Sequence, residues 1–164
     1  MFEVALSDKT GIIDWYSVDP EKYNNPGSSG MYMINFSHRR SGDPDKDREP
    51  IQKRCKVKAS RFDIMNLPAP NLIAMDAEGS ELVVLKGFGS KLKEVDAIIL
   101  ESSFSKNYIG GSTFSEIDKF LSQNQFSFAR TSLKKSTKKP KISLQARFGF
   151  YTPNFNVLYL KNET

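Results

Sequence analysis

The stretch Leu72-Ile73-Ala74-Met75-Asp76-Ala77-Glu78-Gly79-Ser80-Glu81 constrains the fold of this chain more than any other. A short apolar run ends in an acid, a second acid, a glycine and a polar helix opening. This is the pattern of a buried strand that delivers side chains to the rim of a parallel sheet. Ser80 is placed as an N-cap, and Glu81 falls in the first helical turn, where a negative charge suits the helix dipole. Leu82, Val83, Leu85 and Phe88 supply an apolar face, and Gly87 and Gly89 read as the helix breakers.

A short helical piece over 91–95 leads to Ala97-Ile98-Ile99-Leu100-Glu101, a second buried-type strand ending in an acid. Strand, helix and strand in about thirty residues make a βαβ unit, expected to be parallel and right-handed. Asp76 and Glu101 then emerge at one edge of the sheet, where ligands of open α/β sheets bind. Adjacent strands lie about 4.8 Å apart, so the two carboxylates can face one pocket.

Upstream, Val4-Ala5-Leu6, Ser7-Asp8-Lys9-Thr10-Gly11 and Ile12-Ile13-Asp14-Trp15-Tyr16 read as strand, tight turn and strand. Residues 19–50 form a long irregular stretch of turn formers and charge, within which 31–36 can make a short strand. Loops of that length in a compact domain are usually functional lids or disordered. Residues 51–59 alternate weakly, like an exposed strand, and 61–67 make a short helix or turn stopped by Pro68 and Pro70. Downstream, Thr113-Phe114-Ser115-Glu116 is a capping-box pattern opening an amphipathic helix over 113–124. Residues 126–129 and 156–160 read as two late strands joined by a long excursion, an antiparallel hairpin at one side of the sheet.

A length of 164 residues suits a single domain. No apolar run approaches the roughly 20 residues of a membrane span, and Met1-Phe2-Glu3-Val4 lacks the layout of a secretion signal. Cys55, the single cysteine, fits a reducing, cytoplasmic setting and reads as inert. The net charge of +5 is modest, with five basic residues gathered in 134–141. Such a run can steer a phosphate-bearing partner, yet a solvated loop explains it, and nucleic acid is not the expected partner. Phe126 and Phe128 are better explained as core.

These residues resemble the FkbM-type family of S-adenosylmethionine-dependent methyltransferases. The resemblance is carried by 5–11, by Ser60-Arg61-Phe62-Asp63, by 71–87 with its Asp-x-Glu-Gly-x-Glu core, by 97–101, and by the helix holding Glu116-Ile117. The six-residue core alone is a weak signal; five segments in the right order are specific. The resemblance implies an α/β fold, a Rossmann-like class I methyltransferase sheet, with S-adenosylmethionine as cofactor. It also implies methyl transfer to a hydroxyl of a saccharide or another small molecule. By position, Leu6 and Ser7 lie near the adenine, and Asp76 stands at its strand end beside cofactor and acceptor.

The family opens with a strand, a glycine-rich turn and a second strand, and Gly27-Ser28-Ser29-Gly30 and Gly110-Gly111 do not fit that motif. The sheet is therefore expected to be N-terminally incomplete. The 72–75 strand would then show an unpaired apolar edge that favours self-association, with the 4–6 strand cut off from it. A cofactor-free binding or assembly module is the alternative reading.

Asp76, Glu78 and Glu101 are the candidate catalytic carboxylates, since a hydroxyl acceptor gains from a base that takes its proton. Clustered acids can instead hold a divalent cation, but no histidine accompanies them and no metal is expected. For Glu81 the reading is helix capping. For Glu101 it divides between the pocket and a salt bridge to a basic loop. His38, the one histidine, lies in Ser37-His38-Arg39-Arg40 and becomes a substrate-binding candidate if its loop closes as a lid.

Overall fold

The computed structural model describes residues 3–21, 26–36, 52–133, 136–141 and 154–163; His38, Lys134 and Lys135 lie outside them. In chain order the strands are β1 (Ala5–Leu6), β2 (Gly11–Val18), β3 (Met33–Ile34), β4 (Gln52–Ser60), β5 (Leu72–Met75), β6 (Ala97–Ser102), β7 (Tyr108–Ile109), β8 (Phe126–Thr131) and β9 (Phe155–Lys161). The helices are α1 (Glu81–Gly87) and α2 (Phe114–Gln123).

The larger sheet has the order β5-β6-β9-β8. β5 and β6 run parallel, from Leu72 opposite Ala97 to Met75 opposite Leu100, with α1 in the crossover. β9 is antiparallel to both neighbours and lies inside the sheet, between β6 and β8. Its alternating Phe155, Val157 and Tyr159 are buried, as a period of two requires. They join Ile73, Ile98 and Leu100 beneath Val84 and Leu85 of α1 and Ile117 and Leu121 of α2 in one core. Each such side chain is worth roughly 1.5–3 kcal/mol of burial. The Tyr159 hydroxyl donates to Asp118 Oδ1 at 3.0 Å, so this core tyrosine keeps a polar partner. Leu72, Ile99 and Leu160 are 51 %, 39 % and 46 % exposed. They alternate with the buried residues, so they mark the face away from the helices.

The two helices begin differently. At α2 the capping box forms, with the Glu116 carboxylate accepting the Thr113 N–H at 2.8 Å. At α1 Ser80 occupies the N-cap position, but its hydroxyl donates to the Ala77 carbonyl at 2.5 Å and caps nothing. The Glu81 carboxylate accepts the N–H groups of Ala77 at 3.0 Å and Gly79 at 3.3 Å. Both belong to the turn before the helix, so Glu81 braces that turn and does not cap the helix as expected. Gly87 does not break the helix. It is the last residue of α1, and a Cβ there would stand 2.1 Å from the Ser7 carbonyl oxygen. The turn out of the helix falls at Gly89, with φ +50°.

A second sheet has the order β1-β4-β2. The early strands therefore do not pair with each other: β4 lies between them, parallel to β1 and antiparallel to β2. β1 is thus separate from the larger sheet. Residues 61–67 are turns, not helix. They fasten the two sheets together. Arg61 pairs with Asp63 and donates to the Asp8 carbonyl at 3.3 Å, and Phe62 stacks on Phe88 at 4.4 Å between ring centroids.

The short strand expected within 31–36 is two residues long. It forms a small antiparallel ladder, with Met33 opposite Ile109 and Ile34 opposite Tyr108. Tyr16 and Gly30 exchange backbone hydrogen bonds at 2.8 and 3.1 Å, so the 26–36 segment is tied to β2 and β7 at once. Among the described residues no helix is long and apolar enough to cross a membrane.

Candidate functional site

One residue beyond the last β5–β6 register pair stand Asp76 and Glu101, delivered to the same sheet edge by parallel strands. Glu78 arrives by a different route. It sits at φ +50° and is followed by Gly79 at φ +88°. A left-handed residue other than glycine is uncommon, and such conformations cluster at functional sites. This turn brings Glu78 back to the rim. Asp76, Glu78 and Glu101 each offer a carboxylate oxygen within 4.8 Å of the other two. The structure therefore brings the three candidate carboxylates together, at a spacing that can serve a cationic ligand or a divalent ion.

Burial pushes the Glu78 carboxyl up to about 7, against the Tyr108 hydrogen bond and with the help of Asp76, Glu101 and Glu81. Glu101 is raised by burial and by Asp76, and the Asn154 amide donates to its Oε2 at 2.6 Å. Among the described residues that amide, and not a lysine, is its partner. Glu81 is also raised by burial, opposed by the backbone N–H groups it accepts. Glu81 is only 3 % exposed, and it holds the turn that carries Glu78.

Beside the carboxylates lies a cavity of about 290 Å³. That is near the lower end of small-molecule sites, roughly 300–1,000 Å³. Its walls come from three parts of the chain: Leu6 and Trp15 from the smaller sheet, Met31 from the 26–36 segment, and Met75, Asp76 and Glu78 from the end of β5. Apolar Leu6, Trp15, Met31, Met75 and Val84 share the lining with Asp76 and Glu78, and Glu101 lies outside it. Of the two residues placed near adenine, Leu6 lines the cavity. Ser7 is buried at the turn behind it, where its hydroxyl accepts the Lys9 N–H at 3.4 Å. The substrate-binding candidate His38 lies outside the described residues.

Three residues escaped sequence reasoning: Trp15, Asn154 and Tyr108. Trp15 lines the cavity from β2, where it stands opposite Cys55 of β4. Tyr108 donates a hydrogen bond from its hydroxyl to Glu78 Oε2. The available signal was Gly110-Gly111, which does not fit a phosphate loop. A Cβ at Gly111 would stand 3.1 Å from the Tyr108 Cβ, and one at Gly79 3.0 Å from the same side chain. Glycine there marks close approach.

The family model of the methyltransferase FkbM domain matches residues 1–128. Comparisons with curated proteins and with solved structures give no match. The matched span holds β1, β2, β5 and α1, which contribute residues to the cavity, and β6, which carries Glu101. On that match the chain belongs to the methyltransferase FkbM domain family, whose chemistry is methyl transfer.

Proposed function

We propose that this chain performs S-adenosylmethionine-dependent methyl transfer to a hydroxyl of a saccharide or another small hydroxylated molecule. The observation that carries the reading is the cluster of Asp76, Glu78 and Glu101, of which Asp76 and Glu78 line a cavity shared with the apolar Leu6, Trp15, Met31 and Met75. A sulfonium nucleoside is flat at one end and positive near the reacting centre. Leu6, Trp15 and Met75 suit the flat part, and Asp76 suits the charge. Among the described residues no lysine or arginine lines this cavity to oppose a cation. The cofactor, when bound, supplies an electrophilic methyl group, for which alignment with the acceptor oxygen is the main requirement.

The remaining chemistry belongs to side chains of this chain. Glu78, with its carboxyl near 7, is divided between its two forms at neutral pH and can take the proton of an acceptor hydroxyl. Protonation also removes a like charge facing Asp76 and Glu101, which strengthens Glu78 as a base. Beside Glu101 a narrow crevice of about 20 Å³, lined by Ser103, Ser112 and Asn154, has room for little more than a water molecule.

Titration calorimetry with S-adenosylmethionine and S-adenosylhomocysteine tests the reading. Both ligands should give heat, and Asp76→Asn should weaken S-adenosylmethionine about tenfold or more, the worth of one charge-assisted contact. No heat from either ligand at millimolar concentration would overturn it.

A further inference from the structure

We propose that Tyr108 is a positioning residue of this site, fixing the Glu78 carboxylate at the cavity through a hydrogen bond from a ring gripped by two glycines. The contact stands on geometry alone; its consequence for turnover rests on the methyl-transfer reading above.

Tyr108 is 9 % exposed and occupies β7, paired to β3. Its hydroxyl donates to Glu78 Oε2, and the Ser28 side chain hydrogen-bonds to Tyr108 in turn. The hydroxyl is therefore the point where the 26–36 segment, β7 and the turn after β5 meet. The ring has little freedom. Gly79 and Gly111 both approach it so closely that an added Cβ would sit at 3.0 and 3.1 Å. The backbone around it is stitched down as well: Ser112 N–H donates to the Gly79 carbonyl at 2.8 Å, and Gly111 N–H to the Tyr108 carbonyl at 3.0 Å.

Glu78 needs such a partner. It is held in a left-handed conformation, and the charged groups acting on it are Asp76, Glu81 and Glu101, all acids. Like charges alone would drive its carboxylate toward protonation or away from the rim. The Tyr108 hydroxyl is the donor that favours the ionised form and selects one orientation. With Oε2 engaged, Oε1 is the atom that takes the acceptor's proton.

The test has two arms. The first needs no ligand. Protein labelled with carboxyl-¹³C glutamate is titrated by NMR, the Glu78 signal being identified by its loss in Glu78→Gln. Tyr108→Phe keeps the ring and removes the donor, so the Glu78 midpoint should rise above its starting value of about 7. Should Tyr108→Phe fail to fold, 3-fluorotyrosine incorporated at position 108 has a more acidic hydroxyl and should move the midpoint down. An unchanged midpoint in whichever protein folds overturns the proposal.

The second arm follows S-adenosylhomocysteine formation from S-adenosylmethionine with monosaccharides as acceptors. Tyr108→Phe should lower kcat by about tenfold or more, a part of what a positioned base contributes. KM for S-adenosylmethionine should stay within about twofold, and the substitution should add nothing in a Glu78→Gln background, because coupled residues are not additive. Equal losses in both backgrounds overturn the link to Glu78. If the wild-type protein neither binds the cofactor nor turns over, the functional reading fails, and the first arm still decides the contact.

Discussion

At the scale of single residues, Glu78 sets the pH behaviour. Folding raises its carboxyl from the ordinary 4.5 to about 7, so the folded chain holds this proton more tightly than the unfolded chain does. That preference stabilises the fold fully below pH 4.5 and is lost as pH rises through about 7. Thermal midpoints of the wild type should therefore fall across this window relative to those of Glu78→Gln. A difference between the two proteins that stays constant across the window would refute the assignment. Asp76 and Glu101 were legible in the sequence because an acid at the end of a buried strand has a fixed place, and parallel pairing sets two such acids side by side. Glu78 was a candidate by its motif alone and reaches the rim through a left-handed turn. Tyr108 was not legible. Its strand is two residues long, and the β3 partner lies far away in the chain, so neither periodicity nor local turn chemistry reveals the contact.

At the scale of elements, α1 both completes the crossover and docks the smaller sheet. The docking point is Gly87, whose missing side chain lets the helix end lie against the Ser7 carbonyl. Gly87→Ala places a Cβ 2.1 Å from that oxygen, so helix and strand must separate. The expected cost is about 1–3 kcal/mol, despite the better helix propensity of alanine, and denaturant unfolding would measure it. An unchanged or raised midpoint would show that β1 does not press on the helix as described. The βαβ unit itself was readable from an apolar run, an amphipathic helix and a second apolar run. The partnership of β1, β4 and β2 was not. Alternation identifies a strand, but it does not say which strand will lie beside it, and β4 enters from beyond the 19–50 stretch to part the two early strands.

At the scale of the whole molecule, the larger sheet is covered by helices on one face. The other exposes Leu72, Ile99 and Leu160, and a shallow depression of about 220 Å³ lies beside Ile99 and Leu158. Parallel strands are ordinarily buried on both faces, and β5 has only β6 beside it among the described residues. Self-association is the expected outcome, visible in light scattering as a mass that rises with concentration. Leu72→Lys with Ile99→Lys should return the chain to a monomer while leaving the helix-covered core intact. A wild-type chain that stays monomeric at every concentration would refute the expectation.

The cavity has a consequence for how the fold opens. Its walls belong to both sheets and to the 26–36 segment, so the space exists only while all three are docked. A molecule held there touches each wall at once and binds none of them when they part. Its binding free energy is then added to the work of separating them, growing with the logarithm of its concentration. Filling the cavity thus acts as a reversible cross-link, adding to the contacts that Gly87, Phe62 and Arg61 make between the two sheets and to the Tyr16–Gly30 hydrogen bonds that hold the 26–36 segment.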